Sequence, residues 1–179
     1  MSSDDKTPDL VLRTARMILR PMTVGDFDDL RALWGDEGFT RHIMGHALSG
    51  EDVWLRLLRD IGHWKTLGYG NFAMRLIDGG DYVGSVGVLD YRRILEPAFD
   101  APELGWGVAP RFQGKGLAFE ALSAALAWCD EALNARRTVC MISPDNAPSH
   151  ALAARAGYVP YAETTYKGAP IVLLERTSA

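Results

Sequence analysis

Cysteine is scarce in this chain. Cys129 and Cys140 are the only two in 179 residues, and both fall inside apolar patterns. A disulfide framework of the kind that staples small secreted domains is therefore excluded. Both cysteines are expected to be reduced core residues of a cytoplasmic protein. Histidine is equally sparse: His42, His46, His63 and His150 are scattered without metal-ligand spacing, so no metal is expected. No stretch approaches the roughly 20 apolar residues of a membrane span. The polar, acidic opening Met1-Ser-Ser-Asp-Asp-Lys6 is unlike a signal peptide. Positive charge is not in excess either. A formal net charge of −4 argues against binding nucleic acid or an anionic membrane, both of which call for a basic face. Internal repeats, low-complexity segments and linkers are also absent.

What is present reads as one domain. A chain this long buries about 70% of its unfolded surface on folding, and 47% hydrophobic with 23% charged residues is an ordinary globular composition. Residues 1–8 are expected to be disordered, with residues 9–179 forming a single domain. Leu10 to Arg20 alternates and reads as a first strand, bent like a hairpin. Thr23 with Asp26 three residues on forms a capping box, followed by Phe27, Leu30, Leu33 and Trp34 on one helical face. Ser49 with Asp52 repeats the signal, and the stripe Trp54, Leu57, Leu58, Ile61 predicts a second helix with a core face. Two strands, 71–77 and 82–89, flank the hairpin turn Asp78-Gly-Gly-Asp81. A strand over 103–108, a helix from Gly114 onward and a strand over 138–142 follow. A small-residue helix over 146–156 is stopped by Gly157, and two closing strands lie near 158–163 and 170–175. The order predicts an α/β domain with early helices and a mixed sheet.

The chemistry-bearing stretch is Val108-Ala-Pro-Arg-Phe-Gln-Gly-Lys-Gly-Leu-Ala-Phe-Glu120. An apolar run enters a glycine-rich turn and leaves as an amphipathic helix. Gly114 and Gly116 remove Cβ atoms where the backbone turns tightly or lets a ligand approach. The helix behind them presents unpaired N–H groups and the positive end of its dipole, which makes an anion site. Two familiar phosphate loops fail here. A Walker loop needs glycine five residues before Gly114, where Ala109 stands, and Ser or Thr where Gly116 stands. A dinucleotide fingerprint needs Gly or Ala three residues after its second glycine. Phe119 and Pro110 occupy the two candidate positions.

Gln113-Gly-Lys-Gly116-Leu-Ala118 instead resembles the Gln/Arg-x-x-Gly-x-Gly/Ala signature of the Gcn5-related N-acetyltransferases (GNAT). Leu12-Arg-Thr-Ala-Arg-Met-Ile-Leu-Arg20-Pro resembles that family's opening strand. The likeness is greatest to the branch of the ribosomal-protein-alanine N-acetyltransferases (RimJ/RimL type). Val83-Gly-Ser-Val-Gly-Val88, Glu103-Leu-Gly-Trp-Gly-Val108, and Asn146-Ala-Pro-Ser149 with Arg155-Ala-Gly-Tyr158 match later segments in the family's order, over about residues 10–176. The resemblance implies a mixed, mostly antiparallel sheet of about seven strands with about four helices, splayed between the fourth strand (103–108) and the fifth (138–142). It implies acetyl-CoA as co-substrate. The pantetheine would lie along the backbone of Trp106, Gly107 and Val108. The pyrophosphate would sit on the amides of Gly114, Lys115, Gly116, Leu117 and Ala118, with Gln113 in the loop and Lys115 or Arg111 adding side-chain charge. Asn146 would hydrogen-bond the cofactor, or simply cap its helix.

The implied reaction is direct acetyl transfer to an amine, which must be neutral to attack. An α-amino group of pKa near 8 is about one-tenth neutral at pH 7, whereas lysine near 10.4 is mostly charged. Glu103, where relatives often carry a catalytic Glu, is the expected base, directly or through water. Many relatives protonate the leaving thiolate with a Tyr four residues beyond the Ser, but Ala153 occupies that position here, which leaves Ser149 as the expected acid. The loss of the Tyr keeps a second possibility open, a non-catalytic acyl-CoA-binding module. Other expectations are weaker. His42 or His46 would touch the acceptor, and Asp36, Glu37, Glu96 and Asp100 either line a groove attracting its ammonium group or, as is commoner, are solvated surface charges. Exposed strands near the C-terminus would support a homodimer. The acceptor itself, a protein N-terminus or a small amine, rests on loops 35–48, 91–101 and 164–169, which carry no legible motif.

Overall fold

In the computed structural model, which describes residues 10–41 and 43–178, the first strand is two. β1 (Leu12–Arg13) and β2 (Met17–Pro21) form a tight hairpin closed by Thr14, whose N–H and hydroxyl both reach the Met17 carbonyl. This raises the expected count of about seven strands to eight. The remaining strands are β3 (Asn71–Leu76), β4 (Tyr82–Leu89), β5 (Glu103–Val108), β6 (Arg137–Ile142), β7 (Val159–Tyr166) and β8 (Ala169–Thr177). The helices are α1 (Phe27–Trp34), α2 (Glu37–Thr40), α3 (Gly50–Leu67), α4 (Leu117–Glu131) and α5 (Ala147–Arg155). The short α2 was unreadable from periodicity because it makes a single turn, capped by the Asp36 carboxylate on Phe39 N–H. The expected segment 1–8 and His42 lie outside the described residues.

All strands join one sheet in the order β1-β2-β3-β4-β5-β6-β8-β7. Every pairing is antiparallel except β5 with β6, which is parallel and consists of the single pair Glu103↔Val139. Beyond that pair the strands part. At the far end of β5 from that pair, β4 is bulged, at the register shift opposite Met74 and Arg75, and a bulge bends its strand and increases local twist. Gly84 is indispensable there: its φ is +147, and a Cβ would sit 2.0 Å from the Gly107 carbonyl oxygen.

Alternation along the strands divides the core. Phe72 and Met74 of β3 face Leu117, Ala121, Leu122, Ala125 and Cys129 of α4, while Ala73 faces Leu30, Val53 and Leu57 of α1 and α3. The α3 stripe is displaced from the expected one. Val53, Leu57, Asp60, His63 and Trp64 are the buried residues, whereas Trp54 and Leu58 are exposed. Trp54 packs edge-on against Phe27 instead of entering the core. Cys129 and Cys140 are free and buried, and burial, reinforced by the Asp130 charge, pushes the Cys129 thiol up to about 12.

One polar hub ties the early elements to the sheet. Asp26 is fully buried. Its carboxylate accepts two hydrogen bonds from Arg20, one from Arg75 and one from Thr23 N–H, at 2.7–2.8 Å. Burial alone raises a carboxyl pKa, but these donors prevail and bring Asp26 from 3.8 to about 2. Because the folded value lies below the unfolded one, the stabilisation is complete above about pH 5 and lost as pH falls towards 2. It amounts to about 2 kcal/mol. Acid titration of thermal stability is expected to show this loss between pH 5 and 2. Asp26→Asn should flatten that segment and destabilise at neutral pH, by leaving Arg20 and Arg75 without their charge partner.

Candidate active site

The parting of β5 from β6 opens a cleft of about 490 Å³. Its upper wall is the free edge of β5. Pro102 C=O bonds Val139 N–H on the β6 side, and Ala109 N–H bonds Val83 C=O on the β4 side. Peptide groups alternate direction along a strand, so those of Leu104, Trp106 and Val108 point into the gap, and those of Gly105 and Gly107 point to β4. Trp106, with its N–H and C=O, and Val108, with its N–H, therefore offer the groups that an extended, amide-bearing chain would seek. Gly107 does a different job. A Cβ there would lie 2.7 Å from the Phe39 ring, so the missing side chain is space for Phe39.

Beyond Val108 the chain makes a 3-10 turn, Pro110–Phe112, and reaches the glycine loop. Gln113 turns inward and donates its amide to the Val108 carbonyl at 3.0 Å, fastening the loop to β5. Gly114 (φ +71) and Gly116 (φ +76) take left-handed conformations that other residues rarely adopt. Gly116 is the N-cap of α4, and no side chain caps that end. The loop is held from below by a contact with no signal in the sequence. Arg16, in the β1–β2 turn, donates to the Lys115 carbonyl at 2.9 Å and pairs with Glu120 at 2.7 Å, while Glu120 also accepts from Arg16 N–H. The loop carbonyl is thereby directed to Arg16, and the first amides of α4 remain available for an anion. Arg111 lies 3.7 Å from Asp81 and is largely exposed, and Lys115 lies over the Phe112 ring, so both can swing towards added negative charge.

The opposite wall comes from the start of α5. Asn146 caps that helix, its side-chain oxygen accepting Ser149 N–H at 3.2 Å. Trp106 Nε1–H donates to Ser149 Oγ at 3.3 Å. With that lone pair taken, the Ser149 hydroxyl proton is directed elsewhere, and both side chains line the cleft. Ala153 is fully buried under α5.

Glu103 lies at the base of the cleft, where the strands still pair. It is 7% exposed, and Arg93 grips both carboxylate oxygens, at 2.7 and 3.1 Å. Arg93 also bonds the Tyr166 hydroxyl. Burial disfavours the Arg93 charge, but the hydrogen bonds and charge of Glu103 outweigh it and raise its pKa. Sequence reasoning missed this partner because Arg93 sits in a loop with no pattern.

The three loops without legible motifs all reach the cleft. Phe39, Ile43 and Met44 come from the first, Tyr91 and Arg93 from the second, and Tyr166 and Lys167 from the β7–β8 turn. The anticipated acidic groove is absent from it. Asp36, Glu37, Glu96 and Asp100 are not among the lining residues; Asp36 caps α2, and Asp100 pairs with Arg137 at 2.7 Å. His46 lies in an adjoining depression with Arg56 and Arg59, and among the described residues no group of three His, Cys, Asp or Glu could hold a metal.

A splayed sheet, a free strand edge and an uncapped helix behind a glycine loop match one known architecture, and the chain's similarities agree. A family model, the acetyltransferase (GNAT) domain, matches residues 16–159. The chain belongs to the GNAT family. A protein described as a GnaT-family acetyltransferase from Bordetella pertussis superimposes with a TM-score of 0.83 at 36% identity, covering 94% of this chain and 99% of that one. The [ribosomal protein uS5]-alanine N-acetyltransferase of Escherichia coli is 34% identical over 73 residues, 41% of this chain. That match spans only 38% of the curated relative's length. RimL, a ribosomal alpha-N-protein acetyltransferase solved in complex with coenzyme A, shares the fold at a TM-score of 0.74 and 18% identity, with 94% of this chain and 98% of that one covered.

Within a GNAT chain the left-handed Gly116 is a sensitive position. A Cβ would be strained by φ and would approach Arg16 to 3.5 Å. Gly116→Val is expected to raise the coenzyme A dissociation constant about 10-fold or more by calorimetry, in keeping with the 1–3 kcal/mol cost of a forced backbone. Dephosphorylated pantetheine, which lacks the pyrophosphate, should be little affected.

Proposed function

We propose that this chain transfers an acetyl group from acetyl-CoA directly to a primary amine, on a peptide N-terminus or a small molecule. The observation that carries the reading is the free edge of β5 at Trp106, beside Ser149, which leads through the glycine turn to the uncapped start of α4. The residues fit the co-substrate. Trp106 and Val108 would bond the amides of the pantetheine arm, the amides of residues 114–118 would hold the pyrophosphate with Arg111 or Lys115, and Asn146 has its side-chain nitrogen left for the same ligand. Acetyl-CoA supplies an activated thioester at the cleft floor.

The chain's own groups then divide the work. The cleft holds amine and thioester together, which is a large part of the acceleration. As the C–N bond forms and the C–S bond breaks, the amine loses a proton and the departing sulfur gains one. Both oxygens of Glu103 are occupied by Arg93, so Glu103 receives the amine proton through an intervening water, with Arg93 fixing the direction of approach. Ser149, oriented by the Trp106 indole, donates its hydroxyl proton to the sulfur and is reprotonated from solvent, to which Glu103 releases the amine's proton through the same water. No helix among the described residues is long and apolar enough to cross a membrane. A cytoplasmic homodimer joined through the free edge of β7 belongs to the same reading, and mass in solution tests it.

Turnover of acetyl-CoA against a panel of peptides and amines is the test. Ser149→Ala should lower kcat about 100-fold or more, the scale of a proton-transfer group, with the coenzyme A dissociation constant unchanged. Glu103→Gln should lower kcat comparably and shift the pH–rate profile. Tight coenzyme A binding with no turnover of any amine would replace the enzyme by an acyl-CoA-binding module.

A further inference from the structure

The charged groups in the cleft do not balance. Arg56, Arg59, Arg93 and Lys167 line it, against Asp60 and Glu103. Glu103 is consumed by Arg93. Asp60 is 2% exposed, and its Oδ1 accepts from both Arg59 nitrogens at 3.2 and 3.0 Å and from the Tyr91 hydroxyl at 3.2 Å. Arg56 is left over. Its guanidinium stacks on the Trp34 ring at 3.9 Å and meets the Met44 sulfur at 3.9 Å, with no carboxylate partner among the described residues. Asp52, one turn earlier on α3, is turned to Ser49 at 2.6 Å. Burial, followed by the Arg59 charge, lowers the Arg56 pKa and outweighs the opposing pull of Asp60. Lys167 stands at the rim, on the tip of the β7–β8 turn over Tyr166.

A half-buried guanidinium held over an indole, with only a thioether sulfur as hydrogen-bond acceptor, is a fork for planar oxyanions. Resting on the acetyltransferase reading of this cleft, we infer that the acceptor carries an anionic oxygen group near its amine, seated on Arg56 with Lys167 closing from the rim. The amine then points towards Glu103, deeper in the same cleft. The ammonium group needs no acidic groove, because the substrate's own anion provides the attraction and the positive cleft disfavours a polycation. Carboxylate and phosphate share this chemistry, and a matched panel separates them.

The experiment compares kcat/KM for peptides beginning Ala-Glu, Ala-Gln and Ala-Lys, and for phosphoethanolamine beside ethanolamine. Anionic acceptors should exceed their neutral counterparts by about 10-fold or more, the value of one charge-assisted contact, and the cationic peptide should be poorest. Whichever of the glutamyl peptide and phosphoethanolamine shows the larger ratio identifies the oxyanion. Arg56→Gln should raise KM for the favoured anionic acceptor about 10-fold with coenzyme A affinity intact, and Arg56→Lys should recover much of the loss. Should Arg56→Gln melt early, inhibition of the unaltered protein by succinate or inorganic phosphate, competitive with the amine, carries the same information. Neutral or cationic amines turned over as well as anionic ones would overturn the inference while leaving the acetyltransferase reading in place. Absence of turnover with every amine would remove that reading, and the inference with it.

Discussion

β5 and β6 share one residue pair and then separate, and most of what this chain can do depends on that separation. A parallel strand pair that continued for its full length would satisfy both backbones and leave a closed sheet. Here the bulge in β4, with Gly84 admitting the Gly107 carbonyl, bends the sheet opposite Val108, at the far end of β5 from its one pair with β6. The peptide groups of Trp106 and Val108 are then left facing a gap. Unpaired backbone groups are costly to leave dry, so the gap is a standing demand for an extended, amide-bearing partner. The same strand runs on into Gly114 and Gly116, where the uncapped start of α4 makes a parallel demand for an anion.

Two ionic contacts keep this opening in shape from either end. Arg16 fastens the glycine loop to the β1–β2 turn through the Lys115 carbonyl and Glu120. At the other end, Arg93 joins Glu103 to Tyr166, bringing the 91–101 loop, β5 and the β7–β8 hairpin to one point. Neither pair needs to add much net stability, since desolvating charges offsets much of their attraction. Their effect is geometric. They fasten the glycine loop at one end of the cleft and Glu103 at the other, and the proposed transfer between two bound molecules would need both ends fixed.

The part of the cleft near Arg56 is cationic because its two acids, Asp60 and Glu103, are paired with other arginines and Arg56 has no carboxylate partner among the described residues. This arrangement reverses the picture suggested by the acidic loops. Asp36 and Asp100 looked like groove residues by position, yet one caps a helix turn and the other pairs with Arg137. A carboxylate in a loop is as available to a backbone N–H or a neighbouring arginine as to a ligand, and only its three-dimensional neighbours decide between them.

Elements with strong periodicity or local chemistry were legible from the residues alone. The caps at Thr23 and Ser49, the Asp78–Asp81 turn, the apolar face of α4 and the glycine loop all depend on contacts within a few positions, so their signal is carried in the order of residues. The family likeness was legible for the same reason, as a series of local motifs in sequence. The split of the first strand, the one-turn α2 and the shifted face of α3 were not, because each depends on what packs against it. The partners that define the site lie still further apart: Arg16 with Glu120, Trp106 with Ser149, and Arg93 with Tyr166 are separated by 104, 43 and 73 positions. The local order of residues determined that an anion-holding loop follows a strand. Which side chains meet across the cleft, and which cation lacks a carboxylate partner among the described residues, was decided only when the sheet folded and parted.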